Sequence, residues 1–470
     1  MGESGATDIS KGETLELEIE DLAYGGKGVA KKNGFVIFVD GAIPDQRVRA
    51  VITRRKKAYA EARVLEVLRK SPWEVEPRCK HFGSCGGCRL QNLAYEKQLE
   101  VKRQQVVDAL QRIGGLKGIP VESTLPSPDQ YFYRNKMEFS FSDRPWREQG
   151  DEDVPDFALG LHRRGRFDKV LNLDECWLQA PETATVLKEV REFAFASGLP
   201  PYSNTSHEGF WRFLVLRRGV NTGQWMVNVV TTEERPDLLE PLTGQLQGIL
   251  PGLRSFVNNV NTGRGGVAFG ESEALVWGER TIEEKLGDYT FEISANSFFQ
   301  TNTKQAERLY NTVLEFANFT GDEMVYDLYS GTGSIAIYLS GHVRRVLGVE
   351  SVDDAVADAW RNAERNHITN CYFIAGDLRE VFRDTKAFLK KNEDPDVIVL
   401  DPPRDGVHPK VLPKLASLGA ERIVYVSCNP TTQARDLAML APRYRVVKVR
   451  PVDMFPQTSH IEAVALLVKK

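Results

Sequence analysis

The sequence predicts a multidomain protein: a small OB-like β-barrel over residues 1–70, an α+β central domain over 71–285 and an α/β domain of Rossmann-like type over 286–470. Three observations carry this reading. Residues 13 to 69 alternate short strand-like runs with glycine turns, the pattern of a small antiparallel barrel. Residues 71 to 92 form a loop-rich segment with three cysteines. From residue 286 onward, five buried-strand candidates alternate with amphipathic helical stretches, the signature of βαβ units and a parallel sheet. A chain of 470 residues also matches roughly three units of about 150 residues each.

Hydrophobic residues make up 41% and charged residues 27% of the chain, which excludes disordered and fibrous classes. No run approaches the roughly 18 apolar residues of a membrane span, and MGESGATDIS lacks a basic n-region and an apolar h-region. A cytoplasmic protein with no membrane partner is therefore expected. The net charge of −4 taken alone argues against a polyanion partner. Local charge differs: Arg54, Arg55, Lys56 and Lys57 form one basic run, Arg163, Arg164 and Arg166 a second, and Arg217 with Arg218 a third. Such runs leave room for a phosphate-binding track. Six cysteines in a reducing compartment point to metal binding or catalysis rather than disulfides.

In the barrel segment, Leu15, Leu17 and Ile19 alternate with acidic residues, as in a half-buried strand. FVIFV is apolar on both faces, so periodicity leaves its core side open. After the cysteine segment a helix is expected over about 95–115, with Leu99, Val106, Leu110 and Ile113 as its stripe and Gly114-Gly115 as its stop. The central domain contains strand-like YRNKMEFSF, FLVLRRG and WMVNVVTT. The C-terminal strands are MVYDL, RVLGVE, CYFIAGD, DVIVLDPP and RIVYVSC, followed by a closing hairpin, YRVVKVRPVDMF and IEAVALLVK.

After the first of those strands, DLYSGTGS at 327 to 334 allows a tight turn and close backbone approach to a ligand before a helix. Glu350 ends the next strand, where a carboxylate can accept hydrogen bonds from ribose hydroxyls. Asp377 and Asp401 end the third and fourth strands; each could instead cap a helix. A dinucleotide or S-adenosylmethionine would suit this geometry, and the missing G-x-G-x-x-G favours S-adenosylmethionine. In CKHFGSCGGC, Cys79, Cys85 and Cys88 lie on a glycine-rich loop, with Cys176 the best fourth ligand. The spacing suits zinc or a four-iron four-sulfur cluster equally.

FFQTN at 298 to 302, DLYSGTG at 327 to 333, LDPPR at 400 to 404, SCNP at 427 to 430 and HIEAV at 460 to 464 together resemble the RNA uracil-C5 (m5U) methyltransferases of the 23S ribosomal RNA and tRNA type. The similarity runs along nearly the whole chain. It implies that the barrel is a TRAM domain, that Cys79, Cys85, Cys88 and Cys176 hold a 4Fe-4S cluster rather than zinc, and that the helix after the cysteine loop packs on the methyltransferase domain. By matching position, Gln300, Tyr329, Glu350 and Asp401 are implied in S-adenosylmethionine binding or its surroundings, with Ser334 and Asp377 as further positions. Ser334 departs from the asparagine some members carry.

The resemblance also implies a mechanism. Uracil C5 is too poor a nucleophile to take a methyl group unaided, and addition of a thiolate at C6 gives it carbanion character. Cys428 is the expected nucleophile, and Glu462 the base that removes the C5 proton. The target uridine is expected to be flipped out or in a loop, with 23S rRNA as the expected substrate and tRNA as the alternative. Two rival readings are an exocyclic-amine methyltransferase using the Asp401-Pro-Pro loop without a cysteine, and a non-catalytic RNA-binding protein. Cys371, at the start of a strand, is read as core.

Overall fold

The structure, a computed structural model, describes residues 9–147 and 155–470. Residues 1–8, which hold most of the N-terminal segment read above for a signal, lie outside it.

The first unit is a curled sheet of β1 (Thr14–Glu18), β2 (Asp21–Ala23), β3 (Lys27–Lys32), β4 (Phe35–Asp40), β5 (Arg47–Arg55) and β6 (Tyr59–Arg69), in the order β1-β5-β6-β4-β3-β2. Strands β1 and β2 are two halves of one bent path. Ile19 N–H donates to Gln46 O and Glu20 N–H to Val29 O, so the path pairs with β5 on one side and with β3 on the other. That closes the sheet into a barrel of five strand paths and removes its exposed edges. Leu15, Leu17 and Ile19 point inward as the alternation predicts, and Ile37 and Val39 settle the core side of FVIFV.

Helix α1 (Tyr95–Arg112) follows the cysteine segment. Its buried face is Gln98, Val101, Lys102, Gln105, Val106, Ala109 and Leu110. Val106, Ala109 and Leu110 join the core of the C-terminal domain. Ile113, expected on the stripe, is 52% exposed. It is the C-cap of the helix, where the chain leaves the axis and the 3.6-residue period no longer sets direction.

The central sheet runs β13-β12-β11-β10-β7-β8-β9. Its strands are β7 (Lys136–Ser142), β8 (Ala158–Arg163), β9 (Arg166–Asn172), β10 (Trp211–Arg218), β11 (Trp225–Thr231), β12 (Leu253–Val260) and β13 (Ser272–Gly278). Only β11 and β12 pair in parallel among these described strands. Helices α2 (Glu182–Ala196), α3 (Pro236–Leu239) and α4 (Thr243–Ile249) cover one face through Val186, Leu187, Val190, Leu239 and Leu246.

The expected boundary at residue 286 falls within a hairpin of β14 (Thr281–Leu286) and β15 (Tyr289–Ser294). Ile282, Leu286, Phe291 and Ile293 belong to the C-terminal core, so the hairpin packs with that domain. The hairpin alternates residues as any half-buried strand pair does, and its packing partner is a tertiary fact that no local pattern reveals.

The C-terminal sheet contains β16 (Met324–Leu328), β17 (Arg345–Glu350), β18 (Cys371–Ala375), β19 (Val397–Leu400), β20 (Arg422–Ser427), β21 (Tyr444–Val452) and β22 (Glu462–Lys469). Its order is β18-β17-β16-β19-β20-β22-β21, with β16 to β20 parallel and the closing hairpin antiparallel. The strands are almost wholly apolar because α5 (Thr303–Ala317), α6 (Ser334–Leu339), α7 (Asp353–Arg365), α8 (Leu378–Val381), α9 (Thr385–Lys391), α10 (Leu412–Leu418) and α11 (Pro430–Leu440) sandwich the sheet. Strand order reverses between β16 and β19, and crevices at such a switch point bind ligands. Cys371 is buried in this core. No helix among the described residues is long and apolar enough to cross a membrane.

Candidate active site

The nucleotide-like loop lies at that switch point. Tyr329 has φ +67, a strained value for a bulky residue that functional sites commonly hold, and its N–H donates to Val349 O at 2.9 Å. Gly331 has φ +53, and a Cβ there would meet open space, so the backbone stands clear for a ligand. The Glu350 carboxylate accepts from Gly331 N (3.1 Å), Ser351 N (2.6 Å) and Val352 N (3.0 Å), tying the end of β17 to the glycine loop. Asp327 Oδ2 accepts from Ala336 N at 3.1 Å, while its Oδ1 and Ser330 Oγ are buried with no protein partner. Beside this loop is a cavity of about 390 Å³ lined by Tyr329, Val349, Asp377, Leu378, Val407 and His408, among others. Two orphaned polar atoms, an open backbone turn and a strand-end acid suit an adenosyl ligand.

The remaining cofactor candidates are placed as follows. Asp377 caps α8, accepting from Arg379 N at 2.7 Å, and pairs with the Arg379 guanidinium, which holds its carboxyl down at about 2. It lines the cavity as well. Ser334 begins α6, and its hydroxyl is engaged by Tyr310 Oη at 2.8 Å. Gln300 is buried just before α5, its carbonyl accepting from Asn135 Nδ2 at 2.8 Å.

Sheet register brings the catalytic candidates together. Strands β20 and β22 pair antiparallel, the ladder ending with Ser427 opposite Ala463; Cys428 and Glu462 adjoin that last pair and lie within electrostatic reach of each other and of Asp401. Asp401 follows Leu400, which pairs with Tyr425 on the parallel neighbour, so all three residues cluster at one rim of the sheet. Cys428 stands between strand and helix, half-buried. Asn429 caps α11 by accepting from Thr431 N at 3.0 Å and donates to Arg404 O at 3.0 Å, which laces the SCNP turn to the LDPPR loop.

Burial pushes the Cys428 thiol up to about 12, with Glu462 and Asp401 adding to the shift and Arg404 opposing it. Burial pushes Asp401 up to about 7 and, with Asp401 and Glu350 adding, Asp327 up to about 8. Glu462, 5% exposed, is raised well above the usual carboxylate range by burial and then by Asp401. A cleft of mutually repelling acids suits a cationic ligand such as a sulfonium. Sequence reading gives Arg404 no role although LDPPR contains it; its signal is a lone cation in a motif otherwise read for its acid. Asp327 is legible there only as the start of the glycine motif.

Cys79, Cys85, Cys88 and Cys176 are partly buried free thiols, and Cys85 and Cys176 pack against the core of the central domain. Burial raises Cys79 and Cys88 to about 12 and Cys85 to about 11, and each also feels Cys176. Among the described residues no three His, Cys, Asp or Glu side chains converge closely enough to hold a single ion. Three desolvated thiols, each within electrostatic reach of Cys176, suit a multi-iron cluster, whose positive charge would favour their thiolate forms. Two basic runs are absorbed by structure. Arg217 is buried and donates to Ala295 O at 3.1 Å; Arg163 stacks on Trp146 at 3.7 Å and Arg164 pairs with Asp40 at 2.6 Å. The Arg54 to Lys57 run remains exposed.

Five parallel strands closed by an antiparallel hairpin in this order, a glycine loop after the first strand and a cleft at the switch point define an S-adenosylmethionine-dependent methyltransferase. The profile of tRNA (Uracil-5-)-methyltransferase matches residues 273–470, and that of the TRAM domain matches residues 10–65. The chain is 44% identical over 465 residues to an uncharacterized RNA methyltransferase of Chlorobaculum tepidum (97% of this chain, 96% of the other). It is 40% identical to one of Nitratidesulfovibrio vulgaris, covering 98% of this chain and 97% of that one. The crystal structure of Pyrococcus abyssi tRNA (uracil-54, C5)-methyltransferase in complex with S-adenosyl-L-homocysteine shares 32% identity and a TM-score of 0.75, over 97% of this chain and 99% of that one. The chain belongs to the tRNA (uracil-5-)-methyltransferase family of RNA methyltransferases, with an N-terminal TRAM domain.

Proposed function

We propose that the protein methylates C5 of a uridine in RNA through a covalent Cys428–C6 adduct. The Cys428 thiolate, its proton given up to solvent, adds to C6: the sulfur pair forms the C6–S bond and the C5=C6 π pair moves to C5 and O4 as an enolate. S-adenosylmethionine, when bound, supplies the electrophilic methyl group that C5 captures, leaving as S-adenosylhomocysteine. Glu462 then accepts the C5 proton, the C5–C6 double bond re-forms and the C6–S bond breaks to return the sulfur. Asp401 pairs with the uracil edge, Glu350 with ribose hydroxyls, and Gln300, Tyr329, Ser334 and Asp377 enclose the cofactor. Cys79, Cys85, Cys88 and Cys176 hold a 4Fe-4S cluster in the domain beside the RNA cleft. The reaction takes place in the cytoplasm.

The single observation that supports this reading most is that Cys428 and Glu462 adjoin the last pair of the β20–β22 ladder, with Asp401 within electrostatic reach of both. With S-adenosylmethionine and RNA bearing 5-fluorouridine, fluorine cannot leave as a proton does, so a covalent protein–RNA adduct should accumulate and vanish in Cys428→Ala. Retention of methylation by Cys428→Ala would favour exocyclic-amine chemistry instead. For the substrate, 23S rRNA is the first reading. tRNA is the second, favoured by the similarity to a tRNA (uracil-54, C5)-methyltransferase; 5-methyluridine formed on unmodified transcripts of each separates them.

A further inference from the structure

The barrel reaches the catalytic turn. Tyr24, in the turn after β2, donates its Oη to the Cys428 carbonyl at 3.3 Å, across 404 positions of chain. It also lies within electrostatic reach of Arg404 and Glu462. Two independent contacts deliver it there. Leu22, 2% exposed, packs with Leu90 and Val101, and its carbonyl accepts from Gln105 Nε2 on α1 at 2.8 Å. On the other side Gly26, at φ +82, leaves a Cβ position only 3.2 Å from Ser459 Cβ and 3.4 Å from Arg89 Cβ. The turn is therefore seated against the loop that leads into Glu462, and a side chain at Gly26 would be both crowded by that approach and strained at its positive φ. A tyrosine held at both flanks, with its hydroxyl on the backbone of the Cys428 turn, has little freedom to be elsewhere.

Resting on the assignment of Cys428 as nucleophile, we propose that Tyr24 is a positioning residue for methyl transfer, supplied by the N-terminal barrel. Its hydroxyl holds the peptide of Cys428, which has left the ladder of β20 and not yet entered α11, and so fixes the line of the sulfur toward pyrimidine C6. Effects of this kind arise because a small displacement of a nucleophile costs rate without costing affinity.

The full-length enzyme, S-adenosylmethionine and 5-fluorouridine RNA provide the test. Tyr24→Phe keeps the ring and removes the hydrogen bond; the maximal rate of adduct formation at saturating RNA should fall about three- to ten-fold, as loss of one net hydrogen bond predicts. The RNA concentration for half-maximal rate and the melting temperature should stay at parental values. A parental maximal rate in Tyr24→Phe overturns the proposal, as does a loss confined to RNA affinity or matched by an equal loss of folded protein. The Cys428→Ala variant separates the two levels: if it still forms 5-methyluridine the nucleophile assignment itself fails, whereas if it is inert while Tyr24→Phe is parental, only the role of Tyr24 is lost.

Discussion

The Cys428 sulfur is raised to about 12 by burial first and by Glu462 and Asp401 next, so it is a thiol at neutral pH. Adduct formation should therefore climb steadily between about pH 6.5 and 9 as the thiolate fraction grows, measured by single-turnover trapping on 5-fluorouridine RNA; a plateau below about pH 8 would contradict this. Arg404 is the cation that opposes the shift, and Arg404→Ala should slow the same step by about ten-fold, equivalent to one pKa unit. Asp401 makes a second, structural prediction. Its folded pKa is about 7 against 3.8 for an ordinary aspartate carboxyl, so between those values the folded state retains a proton that the unfolded chain has lost. Stability contributed by this group is thus highest below about 4 and declines as pH rises to about 7. Asp401→Asn should melt higher than the parent at about pH 8, with the gap closing toward about pH 4. None of this environment is visible in LDPPR, which names the acid but not the apolar enclosure that raises it.

Among the elements, α1 shows how a helix outside the sheet is bound to the loop between β21 and β22. Lys102 Nζ lies 2.5 Å from Asp453 Oδ1, with side chains 1% and 0% exposed, and donates to Phe455 O at 3.1 Å. Removing one partner leaves a buried charge unpaired, so Lys102→Met should destabilise by about 3–5 kcal/mol, and pairing it with Asp453→Leu should recover much of the loss. Denaturant unfolding of the two single variants and the double variant measures it. The sequence pattern locates the helix and its Val106 and Leu110, but Lys102 and Gln98 look like solvated positions. Gln98 Nε2 donates to Leu90 O and Leu93 O at 3.0 and 2.8 Å, and polar residues acquire such partners only when another segment arrives. The strands of the C-terminal sheet are legible because burial on both faces writes a continuous apolar run; the hairpin β14–β15 falls across the expected boundary because alternation records one buried face and not its owner.

For the whole molecule, ion pairs join the barrel to the central domain. Asp40 at the end of β4 pairs with Arg164 of the central domain at 2.6 Å, and Arg89 of the cysteine segment lies 3.5 Å away. The barrel's own basic run projects from the opposite end of its strands and stays exposed. If that run tracks the RNA backbone, alanine at Arg54, Lys56 and Lys57 should weaken RNA binding at low salt and flatten the dependence of log K on log salt by about two, at roughly 0.7 for each single-strand phosphate no longer neutralised. Fluorescence anisotropy over a salt series reads both effects, and an unchanged slope would assign these residues to solvent. The two other runs look identical in sequence, yet Arg217 and Arg164 are engaged by carbonyls and a carboxylate inside the protein.

The sequence alone determined the strands, the glycine turn at their switch point and the residue types able to do one-carbon transfer, because each is written locally in apolar runs, backbone-permissive residues and short motifs. The meeting of Cys428 with Glu462, the raised acids around them and the arrival of Tyr24 from the barrel were decided only by tertiary structure. Strand register and domain docking join positions far apart in the chain, and the desolvation that sets their chemistry exists only once those surfaces have closed.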